Sequence, residues 1–480
     1  MKRLIVCCDG TWLDSTSLMS GDIPIPSNVT RISQAIKPIS DDGIPQIVYY
    51  QAGVGTQGSI LNRVIGGATA EGLSENIRAG YSFLANNYFP DDEIYLFGFS
   101  RGAFTVRSIA GLINGVGLLT KDGLPYLSEI FKDWENAYNE EYVPKNQDKP
   151  FPDKPSASDP RYKKRLIKNG LSRPNVTIEV VGVWDTVGSL GIPRIGWTEK
   201  FRPRSRAKKE YLFNNTELND HIINAFQALA LDEHRAAFQP AVWEKPDGNQ
   251  TNLRQVWFPG AHSNVGGGSY HDQGIANITL AWMMAQVNYA LDFREDYILD
   301  QQDLTLDYYE ETGQRHRPWS FGKIYRSFTG IYVLGGRASR KPGDYYVADA
   351  VTNTETDIKL KDTMEYVHAS CRVRKVKRGP GVDDIGSWDA HALDDYKLRA
   401  PNAGRSTAMW EPRSRRSDLH GLPEAPLWGI ERQLMTDDTK ISKYLDAHGH
   451  GDRLDPRNSQ LVAKSRSRRD SFSPGPRDEP

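Results

Sequence analysis

Cysteine is scarce in this chain: three residues in 480, Cys7, Cys8 and Cys371. Three thiols are too few for a disulfide framework, and the pattern favours a reducing, cytoplasmic setting. Cys7 and Cys8 are adjacent, so in a strand they would point to opposite faces. Long apolar runs are also missing. None approaches the roughly 20 residues needed to span a bilayer. The opening "MKRLIVCCDG" faintly imitates a signal peptide, but Asp9 interrupts a short apolar stretch, so it reads as a first β-strand. A surplus of one charge sign is missing too. Lys+Arg 60 against Asp+Glu 61 gives a net charge of -1, which excludes a global basic field that would draw in nucleic acid. No internal repeat is visible.

What is present is alternation. "RLIVCC", "IPQIVYY" and "EIYLFGF" read as strands. "GLSENIRAGYSFLANNY" places Ile77, Tyr81 and Leu84 on one helical stripe, and "AFTVRSIAGLI" does the same with Ala103, Val106, Ala110 and Ile113. Strand–helix alternation implies a mostly parallel sheet covered by helices, an α/β fold. Tyr126, Ile130, Trp134 and Tyr138 also recur at helical spacing, a packing stripe. Residues 139–175 are polar and proline-rich, part of an insertion at about 120–175. "VTIEVVGVWDT" and "LRQVWFPGAH" resume the strands, and "IANITLAWMMAQVNYAL" is a strongly apolar helix. The expected division is a core over 1–290, an extension over 291–454 packed on it, and a disordered tail over 455–480, rich in Ser, Arg and Pro.

One short stretch carries chemistry. In "IYLFGFSRG", Ser100 lies between Gly98 and Gly102, directly after an apolar strand and directly before a helix. G-x-S-x-G alone is a weak signal. At a strand-to-helix turn it is the setting of a nucleophile elbow, with glycines where side chains would clash. A helix-capping turn serine is the plainer alternative. A serine hydroxyl needs a base and an orienting acid. Asp185 ends the strand in "GVWDTVGS" and His262 follows the strand in "WFPGAHSNVGGG", in the order Ser, Asp, His. Other candidates fit less well. His234 sits in a helical pattern, His271 lies past the glycine run, and His368 reads as structural. Asp232 and Asp272 do not end apolar strands. Asp9 does, but it precedes the serine. The backbone N–H of Arg101, with that of Gly10 or Thr11, would form an oxyanion hole.

Taken together, "CCDGTW", "GVGT", "ENIRAGYSFLANNY", "DEIYLFGFSRGAFTVRSIAGLI", "GVWDTVGS", "ALALDEHRAAFQPAVW" and "WFPGAHSNVGGG" resemble one family. It is the α/β-hydrolase domain of unknown function whose characterised bacterial members are type VI secretion phospholipase effectors. The likeness covers the chain from near residue 3 to near residue 290. It implies an α/β-hydrolase-like sheet with helices on both faces, a Ser100–Asp185–His262 triad, and hydrolysis of carboxylic esters, with phospholipids as substrates of the toxic members. The chemistry is acyl transfer without metal or cofactor. The insertion and the basic loop 201–210, "FRPRSRAKKE", are expected to cap the site, and the loop could meet anionic headgroups at a membrane surface. Two other readings remain: a catalytically silent hydrolase-fold binding or scaffold protein, and phosphoryl transfer through Asp9 and "GVGTQGS". The latter loop lacks the Lys-Ser/Thr ending of a P-loop.

Overall fold

A computed structural model describes residues 1–10, 25–53, 70–187, 218–329, 336–348, 355–401, 407–414, 418–435 and 439–447. Among these residues seven strands form the central sheet: β1 (Arg3–Cys8), β2 (Gln46–Gln51), β3 (Glu93–Phe99), β4 (Ile178–Trp184), β5 (Ile222–Ala230), β6 (Asn252–Phe258) and β7 (Glu365–Val367). Their spatial order is β7-β6-β5-β4-β3-β1-β2, and every neighbouring pair is parallel. Parallel strands buried on both faces read as continuous apolar runs. Such a run explains β5, "IINAFQALA", which strand alternation does not single out. Because β5 ends at Ala230, His234 lies in the loop beyond a strand, a correction to its helical reading.

Helices cover both faces. Ser27 caps α1 (Asn28–Ala35), its hydroxyl accepting from the Thr30 N–H. α2 (Ala70–Asn87) buries Ile77, Tyr81 and Leu84. α3 (Arg101–Val116) buries Ala103, Val106, Ala110 and Ile113. Cys7 joins the core that α1 covers, and Cys8 the core that α2 and α3 cover, so the adjacent thiols do face opposite sides. The apolar helix α4 (Gly274–Val287) is buried on all sides from Ile275 to Val287. It lies between the sheet and later helices, α5 (Tyr297–Glu311) and the short helix Gly429–Gln433. A helix apolar all round needs such double cover.

The insertion packs along the far half of α3. Its helices Leu127–Glu135 and Pro160–Lys168 bury Ile130, Trp134, Tyr162 and Leu166 there, and Trp134 fills the space beside Gly111 and Gly115. At 1.5 Å per residue those glycines are about 16–22 Å along the helix from Ser100. This part of the insertion buttresses α3 from the side. Tyr138 lies beyond the end of its helix at Glu135 and is exposed. The basic loop 201–210, the "GVGTQGS" glycines after Gly53, and the 455–480 tail lie outside the described residues.

The segment after 290 belongs to the sheet. It provides β7, whose Glu365–Val367 pairs with Gln255–Trp257 of β6. Helix Ala369–Val376 follows at once, capped by His368, whose side chain accepts from the Ser370 N–H. A third core links Leu229, Trp257 and Ile275 with Ile324, Tyr345, Val367, Tyr396 and Trp410.

Candidate active site

The sheet order reverses between β1 and β3: from β1 the chain goes outward to β2, then returns on the other side. Ligand sites of open α/β sheets lie at the strand carboxyl ends beside such a reversal. Ser100 stands there, between the last residue of β3 and the first of α3. Its φ is 57° and its ψ is -119°, a backbone region that a non-glycine residue enters only under constraint. The constraint is visible. The Ser100 N–H donates to the Trp184 carbonyl at 3.1 Å, and its own carbonyl accepts from the Phe104 N–H at 3.2 Å. A Cβ at Gly98 would strike the Gly102 backbone, and one at Gly102 would strike the Cys8 carbonyl. Strand and helix can approach this closely only with glycine at both places.

A chain of hydrogen bonds starts at the hydroxyl. Ser100 Oγ lies 2.8 Å from His262 Nε2, and His262 Nδ1 lies 2.6 Å from Asp185 Oδ2. A carboxylate only accepts, so Nδ1 carries the proton. Nε2 of the neutral ring is then the acceptor, and Ser100 donates to it. Ser100 is 6%, His262 4% and Asp185 0% exposed. The His262 ring is held between Phe99, with centroids 4.6 Å apart, and the edge of Phe238 at 4.9 Å. Asp185 follows β4 directly, and its N–H donates to the Ala228 carbonyl at 2.7 Å.

Three charged residues that the sequence reading did not assign complete the surroundings. Arg340 forks onto Asp185, with Nη1 to Oδ1 at 3.1 Å and Nη2 to Oδ2 at 2.9 Å. Glu233 Oε2 accepts the His262 backbone N–H at 3.2 Å, while Oε1 accepts from Ser327 Oγ at 2.9 Å. Arg235 clamps Glu233 through Nε at 2.9 Å and Nη2 at 2.9 Å. Burial pushes the Glu233 carboxyl up, but Arg235 outweighs it and brings the value down to about 2. Burial also works against the Asp185 anion, yet Arg340 and His262 hold it below the usual carboxylate range. For His262 burial wins over the pull of Asp185, and the imidazole lies below an ordinary histidine. Glu233 and Arg235 lie inside the quoted motif "ALALDEHRAAFQPAVW", so their stretch was visible though their partners were not. Arg340 stands in a segment without periodicity.

The remaining candidates go elsewhere. Asp232 does follow an apolar strand, β5, but its carboxylate accepts from the Gly260 N–H at 2.6 Å and from Trp388 Nε1. Asp272 accepts from the Lys323 N–H at 2.9 Å and pairs with Arg317. His271 is exposed and stacks on Tyr308. His368 Nε2 meets Glu431 at 2.8 Å in the core. Gly10 does pack against the serine, since a Cβ there would come 3.1 Å from Ser100 Cβ. Its N–H, however, donates to Asp9 Oδ1 at 2.7 Å, so an oxyanion would have to compete for it. Thr11 lies outside the described residues. Arg101 opens α3 beside the serine.

Comparison with known proteins bears on this arrangement. Residues 2–286 match the family model described as T6SS, phospholipase effector Tle1-like, catalytic domain. The uncharacterized protein YEL023C of Saccharomyces cerevisiae is 29% identical over 252 residues, which cover 50% of this chain and 32% of that protein. The matched stretch thus spans about a third of that relative's length. A solved structure titled as the Tle1 effector bound to the VgrG spike from the type 6 secretion system is 19% identical, with a TM-score of 0.29, covering 56% of this chain and 51% of that one. An uncharacterized protein from Pseudomonas aeruginosa is 18% identical, also with a TM-score of 0.29, covering 60% and 45%.

Proposed function

Since the chain belongs to the Tle1-like phospholipase effector catalytic domain family, a family of lipid ester hydrolases, we propose that it is a serine hydrolase of lipid carboxylic esters. The observation that carries this reading is the unbroken hydrogen-bond chain Ser100–His262–Asp185 at a strained strand-to-helix turn. Ser100 Oγ attacks the ester carbonyl as His262 Nε2 takes its proton. Asp185 keeps the proton on Nδ1 and stabilises the imidazolium that forms. The tetrahedral oxyanion is stabilised by the Arg101 N–H at the positive end of α3. Gly10 or Thr11 would have to supply a second donor. The imidazolium then gives its proton to the departing alcohol, leaving an acyl-enzyme on Ser100. Water activated by His262 releases the acid.

A phospholipid acyl chain is the proposed substrate, and a membrane surface the proposed place of encounter. Among the described residues no helix is long and apolar enough to cross a membrane. A cytoplasmic setting is proposed with it, on the three buried free thiols. A fluorophosphonate probe tests the reading directly. Wild type should be labelled on Ser100 and should hydrolyse a soluble ester, and Ser100→Ala should lose both. A wild-type chain that neither labels nor turns over any acyl ester would be the silent scaffold instead.

A further inference from the structure

Arg340 lies 155 residues beyond Asp185 in the sequence and outside the family match, yet it is 1% exposed and in direct contact with that carboxylate. Its placement is built in. The loop after β5 and the segment around Arg340 are laced together by Ala236 N–H to the Gly336 carbonyl at 3.1 Å and Ala338 N–H to the His234 carbonyl at 3.0 Å. Arg340 Nη2 also donates to the Phe238 carbonyl at 2.7 Å, on the residue whose ring edges His262. The guanidinium fork thereby fixes both oxygens of Asp185, and the Ala230 N–H supports Oδ1 at 3.1 Å. A planar fork with two parallel bonds fixes a carboxylate's orientation as well as its charge.

We propose that Arg340 is a positioning residue of the active site, supplied by the extension, which locks the Asp185 carboxylate in the orientation and charge state that His262 needs. This rests on the Ser100–His262–Asp185 reading above. Its chemical meaning is specific. A cation against Asp185 opposes uptake of a proton by the His262–Asp185 pair as a whole. His262 therefore stays a free base at lower pH than it would with Asp185 alone, and becomes a somewhat weaker base in exchange. The other charged or titratable groups around the pair are Glu233 on the His262 backbone side, Arg235 beyond Glu233, and the buried Tyr345 near Asp185 and Arg340. None of these three donates to the Asp185 carboxylate among the bonds described.

The test is the pH dependence of Ser100 labelling by a fluorophosphonate, which needs no knowledge of the natural substrate. Arg340→Gln removes the charge but can still hydrogen-bond; Arg340→Met removes both; Arg340→Lys keeps the charge and loses the fork. In the neutral variants the acid limb of the labelling rate should move up by about one pH unit. In Arg340→Lys it should stay near wild type while the rate falls modestly. An unmoved acid limb in folded Arg340→Gln would overturn the proposal, and so would a limb that moves as far in Arg340→Lys. Failure of both neutral variants to fold, with Arg340→Lys intact, would make Arg340 a brace of the fold and overturn it too. Absence of labelling in wild type would instead sink the triad reading on which it stands.

Discussion

Asp185 and Asp9 follow the strands on either side of β3, β4 and β1, so two buried carboxylates flank the strand that leads into Ser100. Among the described residues Asp9 accepts from four donors, all neutral: the Gly10 N–H at 2.7 Å, Ser27 Oγ at 2.6 Å, Thr30 Oγ1 at 2.8 Å and Tyr50 OH at 2.8 Å. Asp185 accepts from an arginine, an imidazole and the Ala230 N–H. Burial pushes both carboxyls up. At Asp9 the four neutral donors do not offset it, and the net direction is upward. At Asp185 the guanidinium and imidazole win, and the net direction is downward. In this pair the direction of the shift follows the facing cation and not the number of hydrogen bonds. Asp9 is suited to tying β1, β2 and α1 together, and Asp185 to holding an imidazolium.

The pairing can be broken most severely at turnover. His262→Ala should cost several orders of magnitude, and Asp185→Asn somewhat less, through the wrong imidazole tautomer. The double variant should be scarcely worse than His262→Ala, because the residues act as one unit. Asp9→Asn should stay within about tenfold of wild type, since no reacting atom depends on its charge. If turnover on one soluble ester falls equally for Asp9→Asn and Asp185→Asn, the two acids are not distinct.

Stability is the next largest effect. Asp185→Asn strands the buried Arg340 charge and should lower the unfolding free energy by about 3–5 kcal/mol. Adding Arg340→Met should restore part of that loss. Asp9→Asn should shift stability by about 1 kcal/mol or less at neutral pH, since it removes an anion that its site holds poorly. The signs with pH differ as well. Asp185, with its folded value depressed, contributes stability that is complete above the unfolded value of about 3.9 and is lost as pH falls through the folded value. Asp9, with its folded value raised, carries a cost that is complete above that value and fades as pH falls through it towards about 3.9. Denaturant melts of both variants across acid pH would expose opposite slopes.

A smaller effect concerns the acid limb of wild-type turnover. An unperturbed histidine base would place it near 6.5. Because burial outweighs Asp185 at His262, the limb should fall below that, and a pH profile of kcat/KM reads it. A limb at or above the ordinary value would mean that Asp185 is less restrained by Arg340 than its contacts imply. Smallest of all should be Tyr50→Phe, which removes one neutral donor from Asp9. Turnover should stay within about twofold and stability within about 1 kcal/mol. A large loss of turnover would give the Asp9 cluster a part in catalysis.

The fold was legible where one element covers one pattern. Ile77, Tyr81 and Leu84 on α2 and the glycines around Ser100 announce themselves, because helix periodicity and steric exclusion act over a few residues. β5 is harder to read because a strand buried on both faces has no alternation. With β5 unseen, His234 reads as part of a helix and Asp232 as following no strand. Ser100, Asp185 and His262 could be picked out because each follows a strand and chain order restricts the choice. Arg340 could not, because an ion pair across 155 residues leaves no mark in either neighbourhood. The spent N–H of Gly10 was equally hidden, since only the folded turn aims it at Asp9.

Strand β7 has a consequence for how the protein is made. Gln255 pairs with Glu365, so the outer side of β6 has no partner in the sheet until about a hundred more residues have left the ribosome. At roughly 5–20 residues per second, that interval is on the order of 5–20 s. Throughout it, the nascent chain carries a row of unsatisfied backbone donors and acceptors along an apolar strand, the kind of edge on which chains aggregate. Expression should therefore be limited by late arrival of this one short strand. Slower translation between residues 260 and 365 would lengthen the hazard, and a chaperone that shields strand edges would relieve it.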